Sequence, residues 1–267
     1  MCRWIAYSGQ PIYLDDALFK PENSLIHQSL HASRALTATN GDGFGIGWYG
    51  SRGRPGLYRD VRPAWNDDNL QSVAEQIAAP LFFAHVRHST GTATARSNCH
   101  PFRYGRWLFM HNGQIGGYDR VRRALDLLIE PAIYHLREGT TDSETFFFLM
   151  LTNGLEKDVA VAFRRSVAQV LDAMAQAGVE EPFRMTAAVS DGEQVYALRY
   201  SSDSRSPSLF YGHKAFATAD GARDGSAVVV LSEPLDSDNG HWVEVPESRI
   251  LVAGGGAVAT SAFVPRA

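Results

Sequence analysis

The chain has 267 residues, 45% of them hydrophobic and 11% aromatic, enough to bury a sizeable core as one large domain or two small ones. A formal net charge of −4 offers no basic surface to nucleic acid or an anionic membrane, and two cysteines, Cys2 and Cys99, cannot make a disulfide framework and suit a reducing cytosol. No apolar run nears the roughly 20 residues of a membrane span, and "WIAY" behind Arg3 is too brief for a signal-peptide core, so a soluble cytoplasmic protein is expected.

"CRWIAYSG" reads as a strand that starts almost at residue one. "NSLIHQSLHASRAL" (Asn23–Leu36) reads as an amphipathic helix capped by Asn23 or Ser24. "GDGFGIGWYG" is a glycine-laced strand, which suggests close backbone approach. "DDNLQSVAEQIAA" is a helix with acidic residues in its first turn. "LFFAHV" and "RWLFM" are buried strands, each followed by a polar loop. The middle third is helical, through "YDRVRRALDLLIEPAIYHLREG", "DSETFFFLMLTNGLEK" and "DVAVAFRRSVAQVLDAMAQAG". The last third returns to strands: "RMTAAVSDGEQVYALRY" with an Asp191-Gly192 turn, then "SLFYGH", "AVVVLSEPL" and "HWVEVPESRILVAG". No repeat, long linker or low-complexity tract interrupts this order. Strands, then helices, then strands predict one α+β domain over residues 1–267, in packed layers with mainly antiparallel sheet.

Polar residues gather between His85 and Asp142, just after the buried strands, where sites are usually built. Arg87 leaves a strand end into a loop of small hydroxylated residues. It fits a structural ion pair, or a guanidinium that grips a carboxylate by two parallel hydrogen bonds. Asn112-Gly113 fits a hairpin turn, although "QIGGYDR" is a poor returning strand. It also fits an oxyanion hole made from the Asn112 amide and the Gly113 N–H. Asp142, in "TTDSETFFF", fits a helix N-cap or a carboxylate that receives an ammonium group. His85, His88, His100 and His111 fall in the same region and raise a zinc hypothesis. No H-E-x-x-H pattern accompanies them, and His85 and His88 on one strand would face opposite ways. Cys99 is a second nucleophile candidate, or an inert small hydrophobe.

"MCRW", "RHSTGT", "NCHPF", "HNG" and "TDSE", in that order, resemble class II glutamine amidotransferases, whose catalytic cysteine becomes residue one after methionine removal. "NGDGFGIGWYG" and "SEPLDSDNGHWVEVPES" are similar to the stand-alone branch of that family, and the resemblance spans essentially the whole chain. It implies a four-layer αββα sandwich, the N-terminal-nucleophile (Ntn) hydrolase fold, with two central antiparallel sheets. It implies Cys2 as nucleophile, Asn112 and Gly113 as oxyanion hole, Arg87 on the α-carboxylate of glutamine and Asp142 on its α-ammonium. His88, Thr90 and His100 match positions that line the glutamine pocket, with His88 in place of the tryptophan that often follows the arginine in larger members. No cofactor or metal is implied.

The expected activity is hydrolysis of the side-chain amide of glutamine, or of a γ-glutamyl amide in a small metabolite, through a γ-glutamyl thioester. Ammonia would be released or passed to a separate synthase subunit. The alternative from another class is a non-catalytic glutamine-sensing module on the same fold, which would be expected to have lost Cys2 or an oxyanion donor.

Overall fold

Strand β1 (Arg3–Tyr13) is buried along its first six residues with no polar alternation, because it lies mid-sheet with protein on both faces. The computed structural model describes residues 2–30, 40–89, 93–238 and 241–265. After β1 come helices α1 (Leu14–Leu18) and α2 (Leu25–Leu30), then β2 (Phe44–Tyr49), β3 (Gly56–Asp60), α3 (Asp68–Gln76) and β4 (Ala78–Val86). The second half of the helix expected over Asn23–Leu36 lies outside the described residues. β5 (Phe102–Tyr104) and β6 (Trp107–Gln114) precede the helical third: α4 (Tyr118–Asp126), α5 (Pro131–Tyr134), α6 (Asp142–Thr152) and α7 (Val159–Gln176). β7 (Arg184–Ser190) and β8 (Val195–Ser201) form the hairpin around Asp191-Gly192. The remaining strands are β9 (Phe210–His213), β10 (Phe216–Ala217), β11 (Arg223–Asp224), β12 (Val228–Leu231), β13 (Trp242–Glu244), β14 (Arg249–Gly254) and β15 (Ala257–Ala262).

One sheet runs β13-β9-β12-β1-β4-β2-β3 and the other β15-β14-β8-β7-β6-β5, and neighbouring strands in both are antiparallel. Three apolar layers separate four structural ones. Ile5, Tyr7, Phe82 and Ala84 meet α1–α3 on the outside of the first sheet. Trp4, Phe83, Leu108 and Met110 fill the space between the sheets. Phe109, Ala187 and Leu198 meet α4, α6 and α7 outside the second. The fold is the αββα sandwich that the sequence resemblance implies. Among the described residues, no helix is long and apolar enough to cross a membrane.

The register carries the site. β1 pairs with β4 with Arg3 opposite Val86, so Cys2 arrives beside Arg87 and His88 as both chains leave the sheet. β2 flanks β4, and a Cβ on its Gly45 would run into the His100 carbonyl, so the glycine lets the "NCHPF" segment lie directly on the strand. In the other sheet "HNGQ" ends β6 and pairs with β7, Asn112 opposite Thr186 and Gly113 opposite Met185. The Asn-Gly pair is therefore inside a strand rather than at a hairpin turn.

Candidate active site

A cavity of about 510 Å³ opens where the ends of β1, β4 and β6 meet the start of α6. Six of the predicted site residues line it: Cys2, Arg87, His88, His100, Gly113 and Asp142. Thr90 lies outside the described residues. Asn112 is buried just behind Gly113 and is not on the cavity wall. Strand alternation turns it, with Leu108 and Met110, toward the space between the sheets. The same alternation, continued one residue before β1, turns Cys2 to the side of Trp4 and Ala6, so Cys2 and Asn112 both face that space.

Cys2 is half-buried at the base of the cavity. Its Sγ accepts the His88 N–H at 3.3 Å and lies 3.5 Å from the His88 carbonyl oxygen. Burial pushes the thiol above its ordinary value, and the His88 N–H and the Arg87 charge pull it back. The Cys2 carbonyl accepts from Arg3 Nη1 at 3.0 Å, and Arg3 is ion-paired with Glu233, both buried. The stretch after β12 thus clamps the start of the chain.

Arg87 is 3% exposed, and its guanidinium donates to the Asp42 carbonyl at 3.1 Å and the Ser89 hydroxyl at 3.2 Å. The Asp42 carboxylate accepts from Ser89 N at 2.7 Å and lies 3.6 Å from His88 Nδ1. The loop after β4 is thereby tied to the loop before β2.

The start of α6 faces this group. Thr141 is its N-cap, with Oγ1 accepting from Glu144 N, so Asp142 is the first helical residue and its carboxylate is not the cap. Asp142 Oδ2 accepts from Ile115 N and Oδ1 from Ser143 N, each at 2.8 Å. Glu144 turns back to accept from Glu138 N and Gly139 N, and Asn98 accepts from Thr140 N at 2.8 Å. These bonds fasten the loop before α6 to the "NCHPF" segment.

Gly113 has φ +145°, and a Cβ there would collide with the Arg184 carbonyl across the ladder. Only glycine holds this bend at the end of β6, where its backbone meets the cavity. The rings of His85 and His100 pack against each other at a tilt of 32°, with centroids 4.2 Å apart. Burial holds His85 neutral, its pKa down at about 3, and puts His100 well below the usual range. Among the described residues, no group of three or more His, Cys, Asp or Glu is placed to hold a metal ion. Cys99 is fully buried with Sγ near the Asp60 carbonyl, and burial pushes its thiol up to about 11.

The cavity also takes in residues that sequence reasoning did not single out, among them Ser143, Tyr118 and Glu181. Ser143 sits inside "TDSE" and was within reach of the motif. Glu181 comes from the loop between α7 and β7 and carries no local signal.

The family model described as "Glutamine amidotransferases class-II" matches residues 20–267. The chain is 34% identical over 290 residues to the probable glutamine amidotransferase DUG3 of Saccharomyces cerevisiae, covering 94% of this chain and 81% of that protein. It is 28% identical to the gamma-glutamyl-hercynylcysteine sulfoxide hydrolase of Mycolicibacterium smegmatis, covering 94% and 95%. A glutamine aminotransferase class-II domain protein from Silicibacter pomeroyi superposes with TM-score 0.76 at 38% identity over the full length of both chains. The glutamine phosphoribosylpyrophosphate amidotransferase of B. subtilis shares the fold, with TM-score 0.64 at 15% identity over 98% of this chain and 49% of that one. With its family match, a homologue above 30% identity and the two-sheet sandwich in common, this chain belongs to the class-II glutamine amidotransferases.

Proposed function

We propose that the protein, as one domain acting in the cytoplasm, hydrolyses the side-chain amide of glutamine or of a γ-glutamyl metabolite, with Cys2 as nucleophile. The observation that carries this reading is a single cavity lined by Cys2, Arg87, Gly113 and Asp142. The likeness to a γ-glutamyl hydrolase over 94% of the chain supports it further.

Removal of Met1 gives Cys2 a free α-amine with a reference pKa of about 7.7–8.0. That amine takes the thiol proton, directly or through one water, so one residue supplies nucleophile and base. This accounts for a thiol that burial keeps protonated at rest. The sulfur attacks the amide carbon, and the carbonyl electron pair moves to oxygen. The Gly113 N–H and the Asn112 amide receive that oxyanion, a contribution of about 10²–10³ in rate per donor. The C–N bond then breaks, the amine returns its proton to the departing nitrogen, and a γ-glutamyl thioester remains. Water cleaves the thioester to glutamate and regenerates Cys2. Arg87 receives the α-carboxylate and Asp142 the α-ammonium, with His88, Thr90 and His100 completing the pocket. Binding of the amino-acid end thereby aims the amide at the sulfur.

The test is intact mass and turnover. The purified protein is expected to lack one methionine, to gain one adduct on Cys2 with 6-diazo-5-oxo-norleucine, and to release glutamate from glutamine or a γ-glutamyl peptide. Cys2→Ala should neither gain the adduct nor turn over. Turnover retained in Cys2→Ala overturns the nucleophile, and glutamine binding without turnover by the processed protein favours the sensing module. Stimulation of glutamine turnover by an added synthase subunit would assign the ammonia to a partner, and partner-free cleavage of γ-glutamyl peptides would assign simple hydrolysis.

A further inference from the structure

A closed circuit of contacts surrounds Gly113. His111 lies two residues before it on β6, and its Nδ1 is 2.8 Å from Ser143 Oγ. Ser143 Oγ stands 3.3 Å from Asp142 Oδ1, the oxygen that also accepts Ser143 N. The other oxygen of Asp142 accepts Ile115 N. Ile115 is two residues beyond Gly113, so the circuit runs His111–Ser143–Asp142–Ile115 and returns along the backbone through Gly113. His111, Ser143 and Ile115 are each at most 5% exposed.

The Ser143 hydroxyl stands between two partners, Asp142 Oδ1 and His111 Nδ1. A carboxylate oxygen accepts, so in the Ser143–Asp142 contact the hydroxyl is the donor. With its hydrogen given to Asp142, Ser143 Oγ accepts from the Nδ1-protonated tautomer of His111. His111 Nε2 lies 2.8 Å from where a Cβ on Gly113 would sit, a point that is also crowded by the Arg184 carbonyl oxygen. Both oxygens of Asp142 are thus engaged from behind.

We infer that Ser143 and His111 are positioning residues, which hold the Asp142 carboxylate in the one orientation that receives the substrate ammonium while its Ile115 bond fixes the backbone at Gly113. This rests on the functional reading above, which gives Asp142 the ammonium. Recognition of the amino-acid end and the shape of the oxyanion site are then one mechanical unit. A Ser143 that served packing alone would not distinguish ligands by their amino group.

The experiment measures calorimetric binding in the Cys2→Ala protein, where no turnover intervenes. The probes are glutamine and glutaramate, the same molecule without its α-ammonium. Adding Ser143→Ala is expected to weaken glutamine about tenfold, as loss of one charge-assisted hydrogen bond does, and to leave glutaramate unchanged. In an Asp142→Asn background the same substitution should add little to the loss. Equal weakening of both ligands, or no change in glutamine binding, overturns the inference and leaves the functional reading standing. Failure of the Cys2→Ala protein to bind glutamine at all overturns both.

Discussion

The N–H of His88 points at Cys2 Sγ from 3.3 Å while the carbonyl of the same residue stands 3.5 Å from that sulfur. One donor and one acceptor therefore meet the thiol together, with the Arg87 charge behind them. Burial dominates and raises the thiol, so its titration is expected above the value near 8.5 of free cysteine. In a Cys99→Ser background, the rate of iodoacetamide alkylation against pH reads Cys2 alone. Its inflection should lie above that of free cysteine, and Arg87→Gln should move it higher by removing a favourable charge. An inflection below free cysteine, or a downward shift in Arg87→Gln, contradicts this account of the site.

Gly113→Ala is expected to damage both fold and activity. Alanine at φ +145° costs about 1–3 kcal/mol in backbone strain, and its Cβ must displace the Arg184 carbonyl of β7. Gly105 is the control. It has φ +55° with nothing within 4 Å of the place an added methyl would take, so Gly105→Ala carries strain without collision. Thermal melts should rank wild type above Gly105→Ala and that above Gly113→Ala. Turnover should fall about a hundredfold or more only in Gly113→Ala. Equal melting points for the two variants would show that the Arg184 contact does not constrain the strand.

Much of this is legible in the chain before the fold. Buried central strands such as β1, β6 and β12 read as apolar runs, and "MCRW", "RHSTGT", "HNG" and "TDSE" each contain a residue that lines the candidate cavity. Other features have no sequence signal of their own. β15, "AVATSA", is an exposed edge strand of small residues, with neither an apolar run nor a clean alternation to betray it. α6 is buried on nearly every side, so the face periodicity of a surface helix is missing there. Asp142 reads as a cap because it stands at a helix start. The preceding Thr141 takes that role only because the helix begins at 142. The Arg3–Glu233 pair joins residues 230 apart, a relationship that no local pattern encodes.

The buried, mutually packed pair of His85 and His100 predicts how stability depends on acid. Burial depresses both pKa values, His85 to about 3, so the folded chain refuses a proton that the unfolded chain accepts near 6.5. Their contribution is fully present above pH 6.5 and is lost as pH falls through that value toward 3. The urea midpoint should therefore drop between pH 6.5 and 5, with each histidine adding a slope of up to about 1.4 kcal/mol per pH unit. Carboxylates titrate mainly below that window. His85→Leu should flatten the slope by about one proton's share, and an unchanged slope would show that His85 is charged in the fold.

The clamp on the start of the chain separates stability from reactivity. Arg3 Nε donates to Glu233 Oε1 at 2.7 Å, both side chains are buried, and Arg3 Nη1 holds the Cys2 carbonyl. Glu233→Ala removes the carboxylate and leaves a guanidinium in the interior, which is expected to cost about 3–5 kcal/mol in urea unfolding. Replacing both residues, Arg3→Met with Glu233→Leu, removes the charge along with its partner and should recover most of that loss. It should not recover the reaction with 6-diazo-5-oxo-norleucine, because the Cys2 carbonyl has still lost its donor and the sulfur its fixed approach. A reaction rate about tenfold below wild type in a stable double variant is the expected result. Wild-type reactivity there would mean that β1 and β4 alone position Cys2, and that the ion pair serves only the fold.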